Sequence, residues 1–210
     1  MAVECDGAGY AAPGSGSFAI ASIRLFIAVH LDSATREALA AASEALRAPA
    51  AGVPVGWVIP ENFHVTLKFL GGVDEAKIPA LIEALHSAVA RQRGFGFQVG
   101  GLGAFPSPTR PRVLWAGVAV GTEPLGALAE RIDEATAALG FPRGARPFSP
   151  HITLGRVRDS CRAPALAEAL EGAGTRPFGT VKIEHVALMR SDLSPQGARY
   201  TTLTAAPLAR

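Results

Sequence analysis

Cysteine, lysine and long apolar runs are all scarce in this chain of 210 residues, and each scarcity excludes a class of protein. The only cysteines, Cys5 and Cys161, are too few for a disulfide framework, and neither has the spacing of a metal ligand. We therefore expect a reducing, cytoplasmic setting. No run of about 18 apolar residues occurs, so the sequence predicts no transmembrane helix and no membrane partner.

Positive charge is also in short supply. The net charge is only +2 at pH 7, and Lys68, Lys77 and Lys182 are the only lysines. A charge this close to zero provides no broad basic surface for duplex nucleic acid. Arginine, which carries most of the positive charge, suits bidentate contacts with single phosphate groups. A hydrophobic content of 49% is enough to bury a substantial core, so the composition predicts a globular protein.

Predicted strands and helices alternate from residue 22 onward. Residues 1–21 are rich in Gly, Ala and Ser and carry acidic residues where a secretory signal would be basic, so we interpret them as a flexible leader. Apolar segments predict strands at Ser22–His30, 64–70 and His151–Val157. Helix-start signals predict helices capped by Asp32 or Ser33, capped by Asp74, and beginning near Pro124. Short connections favour an α+β fold with mainly antiparallel sheets over a doubly wound fold. We expect one domain over residues 22–210 and a monomer.

One tetrapeptide pattern, histidine-aliphatic-threonine-aliphatic, occurs twice. The copies are His64-Val65-Thr66-Leu67 and His151-Ile152-Thr153-Leu154. Composition alone would give roughly 0.06 such tetrapeptides in the chain, so two copies are a signal of function. Alternate residues of a strand share a face and lie about 6.6 Å apart, so in each copy the histidine and the threonine point the same way. The aliphatic residues then enter a core.

Two such His–Thr pairs facing one cleft would suit the hydrolysis of a cyclic phosphodiester. One imidazole must be neutral to accept a proton from the attacking water, and the other must be protonated to donate one to the departing ribose oxygen. An unperturbed histidine pKa near 6.5 lets both forms coexist around neutral pH. The hydroxyls of Thr66 and Thr153 can donate hydrogen bonds to the phosphate oxygens as charge builds in the transition state. This chemistry needs neither a metal nor another cofactor.

Two other interpretations of the pattern stay open. Amphipathic strands often expose His and Thr, so a single copy would favour an ordinary strand, whereas two copies followed by glycine favour function. A zinc site is the weaker rival, because neither copy has a carboxylate or a cysteine at ligand spacing. The sequence therefore predicts His64 and His151 as catalytic residues without a metal.

Similarity to a known family extends beyond the two tetrapeptides. The matching segments are RLFIA at 24–28, ENFHVTLKFLG at 61–71, PRVLW at 111–115, PFSPHITL at 147–154 and GARY at 197–200. With these segments the chain resembles the 2H phosphoesterase superfamily, which is named for two His-x-Thr-x motifs. Within it, the chain is most similar to the bacterial RNA 2',3'-cyclic phosphodiesterases, also called 2'-5' RNA ligases.

The resemblance implies a bilobal α+β fold produced by internal duplication, with two mainly antiparallel sheets and flanking helices around a central cleft. It also implies hydrolysis of RNA 2',3'-cyclic phosphate ends, tRNA-like fragments among them, to 2'-phosphomonoesters. By the same resemblance His64 would be the general acid and His151 the general base. Some members also join RNA ends through a 2',5' linkage, so reversible ligation is left open.

The resemblance further implies that Arg156, five residues after His151, contacts the phosphate. Strict strand alternation would turn Arg156 away from the cleft, and a bulge at Gly155 would turn it back. Lys68 is in phase with His64 and is expected at the cleft edge or exposed to solvent.

Aromatic and basic residues complete the predicted cleft. Phe26 and Phe148 could stack a base, with core packing as the competing interpretation. Four loop arginines could border the cleft, or could carry ordinary solvated charge: Arg110, Arg112, Arg143 and Arg146. Their roles, like that of Lys68, are left open by the sequence.

Three functions remain to be separated. The leading one is an RNA end-processing enzyme. The second is a phosphodiesterase for a small cyclic nucleotide, such as an ADP-ribose cyclic phosphate. The third is a non-catalytic module that binds RNA ends, although binding alone would not need two titrating histidines.

Overall fold

A computed structural model describes residues 22–159, 162–194 and 197–209. The predicted leader at residues 1–21 and both cysteines lie outside these residues. The described elements are β1 Ser22–His30, α1 Ser33–Ala45, β2 Val55–Trp57, β3 His64–Asp74, α2 Ile78–Val89, β4 Phe95–Ser107, β5 Arg110–Val120, α3 Thr122–Ala137, β6 His151–Val157, α4 Pro164–Gly172, β7 Pro177–Ile183, β8 His185–Ser194 and β9 Gly197–Pro207.

The strands form one curled antiparallel sheet in the order β7-β4-β5-β6-β3-β1-β8-β9, with β2 paired to β6 off this path. This order divides into a first half, β3-β1-β8-β9, and a second half, β6-β5-β4-β7. A single residue pair, Val65 opposite Ile152, joins β3 to β6 between the halves. The predicted α+β class and internal duplication are confirmed, and the two expected sheets meet at this one pair.

The four helices bury their apolar stripes in one hydrophobic core with the inward residues of the strands. Leu39 of α1, Leu85 of α2, Ile132 of α3 and Leu166 of α4 are all fully buried there. Helix α1 follows β1 of the first half but packs against β7, at the far edge of the second half. The halves are therefore tied together by a crossing helix as well as by the sheet.

The first and third helices begin within two residues of their predicted starts, and the second begins later than predicted. The Asp32 carboxylate accepts a hydrogen bond from the Thr35 backbone N–H at 2.8 Å and caps α1 as predicted. At Asp74 a short 3-10 turn intervenes, so α2 begins only at Ile78. Helix α3 begins before Pro124, because the chain reverses at Gly121 with a φ of 87°. In the described part of the chain, no helix has the length and apolar character needed to cross a membrane.

Strands β3 and β6 each carry a β-bulge at the fourth residue of the repeated motif. On β3, Leu67 is the extra residue, because the residues on either side of it pair with consecutive residues of β1. On β6, Leu154 is the extra residue against β5 in the same way. An extra residue reverses the faces of the residues that follow it. As a result Phe69 on β3 and Arg156 on β6 point to the same face as the motif histidines.

Candidate active site

A cleft of about 910 Å³ lies where the two halves of the sheet meet. Strand β3 contributes His64 and Thr66 to its lining, and β6 contributes His151 and Thr153. The residue pair that joins β3 to β6 lies in the middle of both motifs, so the motifs run side by side in opposite directions. The structure thus brings all four predicted motif residues into one cavity.

Each histidine is oriented by a backbone carbonyl two residues before it. Nδ1 of His64 lies 2.7 Å from the carbonyl oxygen of Asn62, and Nδ1 of His151 lies 2.7 Å from that of Ser149. A carbonyl oxygen only accepts hydrogen bonds, so each Nδ1 carries a proton and donates it. In both rings Nε2 is then the nitrogen that can exchange a proton with a ligand.

The Nε2 atoms of the two histidines differ in their partners. Nε2 of His64 lies 3.0 Å from the Thr66 hydroxyl oxygen, and in the neutral ring it accepts the hydroxyl proton. Nε2 of His151 has no hydrogen-bond partner among residues 22–159, 162–194 and 197–209. His151 therefore offers an unoccupied nitrogen to a ligand, whereas a ligand at His64 must share that nitrogen with a threonine.

Burial lowers the pKa of His64 to about 4. The hydrogen bond to the Asn62 carbonyl opposes this shift, and the positive charges of His30, Arg156 and His151 add to it. His64 is consequently neutral at neutral pH in the protein alone. A bound phosphate anion would raise the pKa of His64, because an opposite charge favours the protonated ring.

Arg156 faces the cleft because the bulge at Leu154 reverses the strand alternation. Its positive charge lowers the pKa of His64, and it also opposes the rise that burial produces in the pKa of Tyr200. Arg156 is exposed and forms no ion pair with the described residues. The guanidinium is therefore available for a phosphate beside the histidines.

Gly155, which the sequence marked as the source of the bulge, has a packing role. The extra residue is its neighbour Leu154, while Gly155 lies beneath β2. A Cβ atom at Gly155 would come within 2.7 Å of Val55 Cγ1 and 3.3 Å of a Trp57 ring atom. Glycine at this position therefore lets β2 pack against β6 beside the site.

Charges of one sign line the cleft. Three arginines, Arg24, Arg156 and Arg158, contribute to its walls, and none of the Asp or Glu residues that the structure describes does. None of the three guanidinium groups is ion-paired within the described residues. Because the chain has 18 acidic residues, their absence from this lining favours an anionic ligand.

Aromatic rings flank both histidines. The ring centroids of Phe26 and Tyr200 lie 4.9 and 5.3 Å from that of His64, and Phe105 lies 5.2 Å from His151. Phe26 lines the cleft but is only 4% exposed, so its ring supports His64 more than it offers a free face. Sequence reasoning missed Phe105 and Tyr200, because no local pattern marks residues that reach a site from distant strands.

Two residues lie elsewhere than the sequence indicated. Phe148 is half-buried, packs against the main core and does not line the cleft, so core packing is its role. Lys68 is buried, because the bulge at Leu67 turns it to the core face. Its ammonium donates hydrogen bonds to the Asp133 carboxylate and, at 2.7 Å, to the Pro142 carbonyl. The expectation of a cleft-edge or exposed lysine was therefore wrong.

The remaining basic and metal-ligating residues lie away from the cleft. The loop arginines that could have bordered it do not line it: Arg110, Arg112, Arg143 and Arg146. Arg143 instead pairs with Glu134 on the surface, at 3.1 Å. Among the described residues, no cluster of three or more His, Cys, Asp or Glu side chains is arranged to hold a metal ion.

Comparison with known proteins gives matches over both halves of the sheet. The model of the family described as LigT-like phosphoesterase matches residues 29–115 and 118–200. An RNA 2',3'-cyclic phosphodiesterase of Aeropyrum pernix is 38% identical over 152 residues, which cover 72% of this chain and 85% of that relative. A relative of the same name from Methanothermobacter thermautotrophicus is 33% identical over 181 residues, covering 86% of this chain and 96% of its own.

A solved structure has the same fold. The crystal structure of E. coli LigT complexed with 3'-AMP covers 90% of this chain and 99% of its own, with a TM-score of 0.68 and 28% identity. Each of the two matched segments contains one histidine-threonine motif. The predicted resemblance to the 2H phosphoesterases and the prediction of a phosphoesterase are confirmed by these matches. The chain belongs to the LigT-like phosphoesterase family.

Proposed function

We propose that this chain hydrolyses the 2',3'-cyclic phosphate ends of RNA to 2'-phosphomonoesters, with His64 and His151 as the acid–base pair. The observation that carries the proposal is the meeting of two His–Thr pairs, from two antiparallel strands, in a cleft without carboxylates. Relatives named RNA 2',3'-cyclic phosphodiesterase support the substrate class. A related structure that holds 3'-AMP supports a nucleotide in this fold. The predicted cytoplasmic setting is part of the proposal.

The reaction breaks one phosphorus–oxygen bond and forms another. Water attacks the phosphorus and loses a proton to a histidine Nε2 that acts as general base. The bond from phosphorus to the ribose 3'-oxygen breaks, and the second histidine donates a proton to that oxygen. The product carries a 2'-phosphate and a 3'-hydroxyl. Hydrogen bonds from Thr66 and Thr153 and the charge of Arg156 stabilise the oxygens that gain negative charge.

The family resemblance assigns the acid to His64 and the base to His151. Since His64 is neutral in the protein alone, this assignment requires it to gain a proton together with the anionic substrate. The opposite assignment, with His64 as base, requires no such uptake. A diester with a nitrophenolate leaving group distinguishes the two assignments. Nitrophenolate leaves as an anion, so its departure needs no general acid. With His64 as acid, His64→Ala costs less activity on this diester than on the cyclic phosphate, and His151→Ala costs the same on both.

Ligation uses the same proton transfers with a different nucleophile. If the 5'-hydroxyl of a second RNA attacks in place of water, the product is a 2',5' linkage. We expect this product only when a 5'-hydroxyl RNA is present in excess, because water otherwise outnumbers it. Digestion of the joined RNA with a 3',5'-specific nuclease checks this part of the proposal, because only the new 2',5' junction should stay intact.

The direct test is product analysis with a short oligonucleotide that ends in a 2',3'-cyclic phosphate, incubated with the protein in excess EDTA. The expected product is the 2'-phosphomonoester, formed at the same rate with and without the chelator. A 3'-phosphomonoester, or loss of turnover on chelation, would contradict the mechanism.

The same assay separates the other functions. A higher kcat/KM for an ADP-ribose cyclic phosphate than for the oligonucleotide would favour a small cyclic nucleotide as the substrate. Tight binding of the oligonucleotide without turnover would favour a non-catalytic module. A higher kcat/KM for the oligonucleotide than for the ADP-ribose cyclic phosphate supports RNA ends as the substrate.

A further inference from the structure

The cleft extends well beyond the catalytic groups along strand β1. His30 of β1 lies opposite His64, and Arg24 lies six residues further along β1, a distance of roughly 20 Å at the rise of a strand. Arg24 pairs across the sheet with Ser191 of β8, and both residues line the same cleft as the histidines. Arg24 therefore contributes to the cleft at a point far along β1 from the histidines. We refer to the part of the cleft lined by Arg24, Phe69 and Leu193 as the outer cleft.

The outer cleft exposes apolar side chains that a folded protein normally buries. Phe69 is 71% exposed and Leu193 is 62% exposed. Four large apolar side chains are exposed among the described residues, and three of them line the whole cleft: Ile59, Phe69 and Leu193. Phe69 and Leu193 belong to its outer part. Their concentration in one concave site indicates a ligand with flat apolar surfaces.

The position of Phe69 follows from the duplication. It is the second residue after the Leu67 bulge in the first half, as Arg156 is the second residue after the Leu154 bulge in the second half. The same device therefore presents an arginine to the cleft from one half and a phenylalanine from the other. The ring of Phe69 lies 6.4 Å from that of Phe26, which itself contacts His64, so Phe69 is the next ring outward.

Arg24 adds an unpaired positive charge to this apolar surface. It is exposed, and its guanidinium has no ion-pair partner among the described residues. Within residues 22–159, 162–194 and 197–209, no carboxylate lines the cleft to neutralise it. A free aromatic face beside an unpaired arginine is the combination that binds single-stranded nucleic acid, because the ring stacks a base and the guanidinium holds a phosphate.

We infer that the outer cleft binds the nucleotide that precedes the cyclic-phosphate end. The base of that nucleotide lies against Phe69, and the phosphate that links it to the terminal nucleoside lies at Arg24. The inference rests on the proposed function and extends it. The preferred substrate is then an RNA chain of two or more nucleotides, and a mononucleoside 2',3'-cyclic phosphate fills only the inner part of the cleft.

The test compares kcat/KM for a dinucleotide that ends in a 2',3'-cyclic phosphate with kcat/KM for the matching mononucleoside. The wild-type protein is expected to prefer the dinucleotide. Phe69→Ala is expected to lower the ratio of the two values about 10-fold, the effect of losing one stacked base. Arg24→Gln is expected to lower the ratio by a similar factor and to reduce the salt dependence of dinucleotide turnover by about one phosphate contact.

Two variants outside the cleft serve as matched controls. Val120 is exposed to a similar degree as Leu193, and Arg131 is an exposed arginine of α3. Neither lines the cleft, so Val120→Ala and Arg131→Gln are expected to leave the ratio unchanged. A ratio that stays unchanged in Phe69→Ala and Arg24→Gln would overturn the inference. So would an equal loss on both substrates, because the two residues would then hold the terminal nucleoside.

The same data distinguish this inference from the proposed function. If the wild-type protein hydrolyses neither substrate, the proposed function fails. If it hydrolyses both equally well, and the cleft variants do not change the ratio, only the second-nucleotide site fails.

Discussion

The two motif strands, β3 and β6, are the most informative comparison within the molecule. Both carry the same tetrapeptide, and both bulge at its fourth residue. In both, the histidine Nδ1 donates to the carbonyl two residues earlier, at the same distance of 2.7 Å. The repeated part of the structure is thus the part that brings an imidazole and a hydroxyl from each strand into the cleft.

The strands differ immediately after the bulge. Strand β3 continues with Lys68 and Phe69, and β6 continues with Gly155 and Arg156. The first position of each pair faces the core, where Lys68 reaches Asp133 and the glycine admits β2. The second position faces the cleft, as an aromatic ring in one half and a guanidinium in the other. The two halves therefore present the same His–Thr pair to the cleft, and they differ in the side chain that follows the bulge on that face.

The largest expected effect is the loss of activity when either motif histidine, His64 or His151, is replaced. His64→Ala and His151→Ala should each lower kcat/KM for a cyclic phosphate end by at least about 100-fold, the usual contribution of a positioned acid or base. Steady-state kinetics measures both. His185→Ala is the control, because His185 is exposed and lies outside the cleft. Full activity in either variant would show that the replaced histidine takes no part in the reaction.

The next effect concerns the buried ion pair between Lys68 of β3 and Asp133 of α3. Lys68→Met would leave the Asp133 carboxylate partly buried without its cation, and the free energy of unfolding should fall by roughly 3 kcal/mol. Urea denaturation measures this change. Adding Asp133→Leu should recover much of the loss, because the unpaired charge is then gone.

An exposed ion pair provides the control for Lys68. Lys182 and Glu184 lie 2.7 Å apart with both side chains mostly exposed, so Lys182→Met should change stability by less than about 0.5 kcal/mol. Equal effects of Lys68→Met and Lys182→Met would show that burial adds nothing to the stabilising effect of the Lys68–Asp133 pair.

A smaller effect is expected from the threonines. Thr66→Val and Thr153→Val should each weaken transition-state binding by about 1.5–3 kcal/mol, the range for hydrogen bonds to charged groups. The measurement is kcat/KM, with Thr→Ser at each position as the control that keeps the hydroxyl. An unchanged rate in a valine variant would remove that threonine from the site.

The smallest expected effect is the change that Arg156 produces in the pKa of His64. The charge of Arg156 lowers the pKa of His64, so Arg156→Gln should raise that pKa above the wild-type value of about 4. An NMR titration of the His64 ring measures the shift, and Arg131→Gln should leave it unchanged. A lower pKa in Arg156→Gln would contradict the placement of Arg156 beside His64.

The sequence was sufficient to predict that the motif histidines and threonines share one face of their strands. It was insufficient to predict where the residues after the bulges point. A tetrapeptide repeated in two strands identifies His64 and His151, because strand alternation alone puts His and Thr on one face. Nothing local marks Leu67 as an extra residue, so alternation placed Lys68 on the wrong face. On β6 the family resemblance implied that Arg156 contacts the phosphate, and Gly155 suggested a bulge that would turn Arg156 to the cleft.

The aromatic lining was also beyond the reach of a sequence pattern. Phe105 and Tyr200 lie on β4 and β9, far along the chain from the histidines they contact. Their convergence depends on the strand order of the complete sheet. For Phe148 the sequence left base stacking and core packing as alternatives, and the structure packs its ring against the core.

The central claim is that the two motif strands act on one phosphate as a unit, and a double variant tests it most directly. If His64 and His151 transfer protons in the same step, removing both costs little more than removing one. We expect kcat/KM of His64→Ala/His151→Ala to lie within about 10-fold of the slower single variant. Two losses that multiply in full would mean that the histidines act independently, and would contradict a shared catalytic centre.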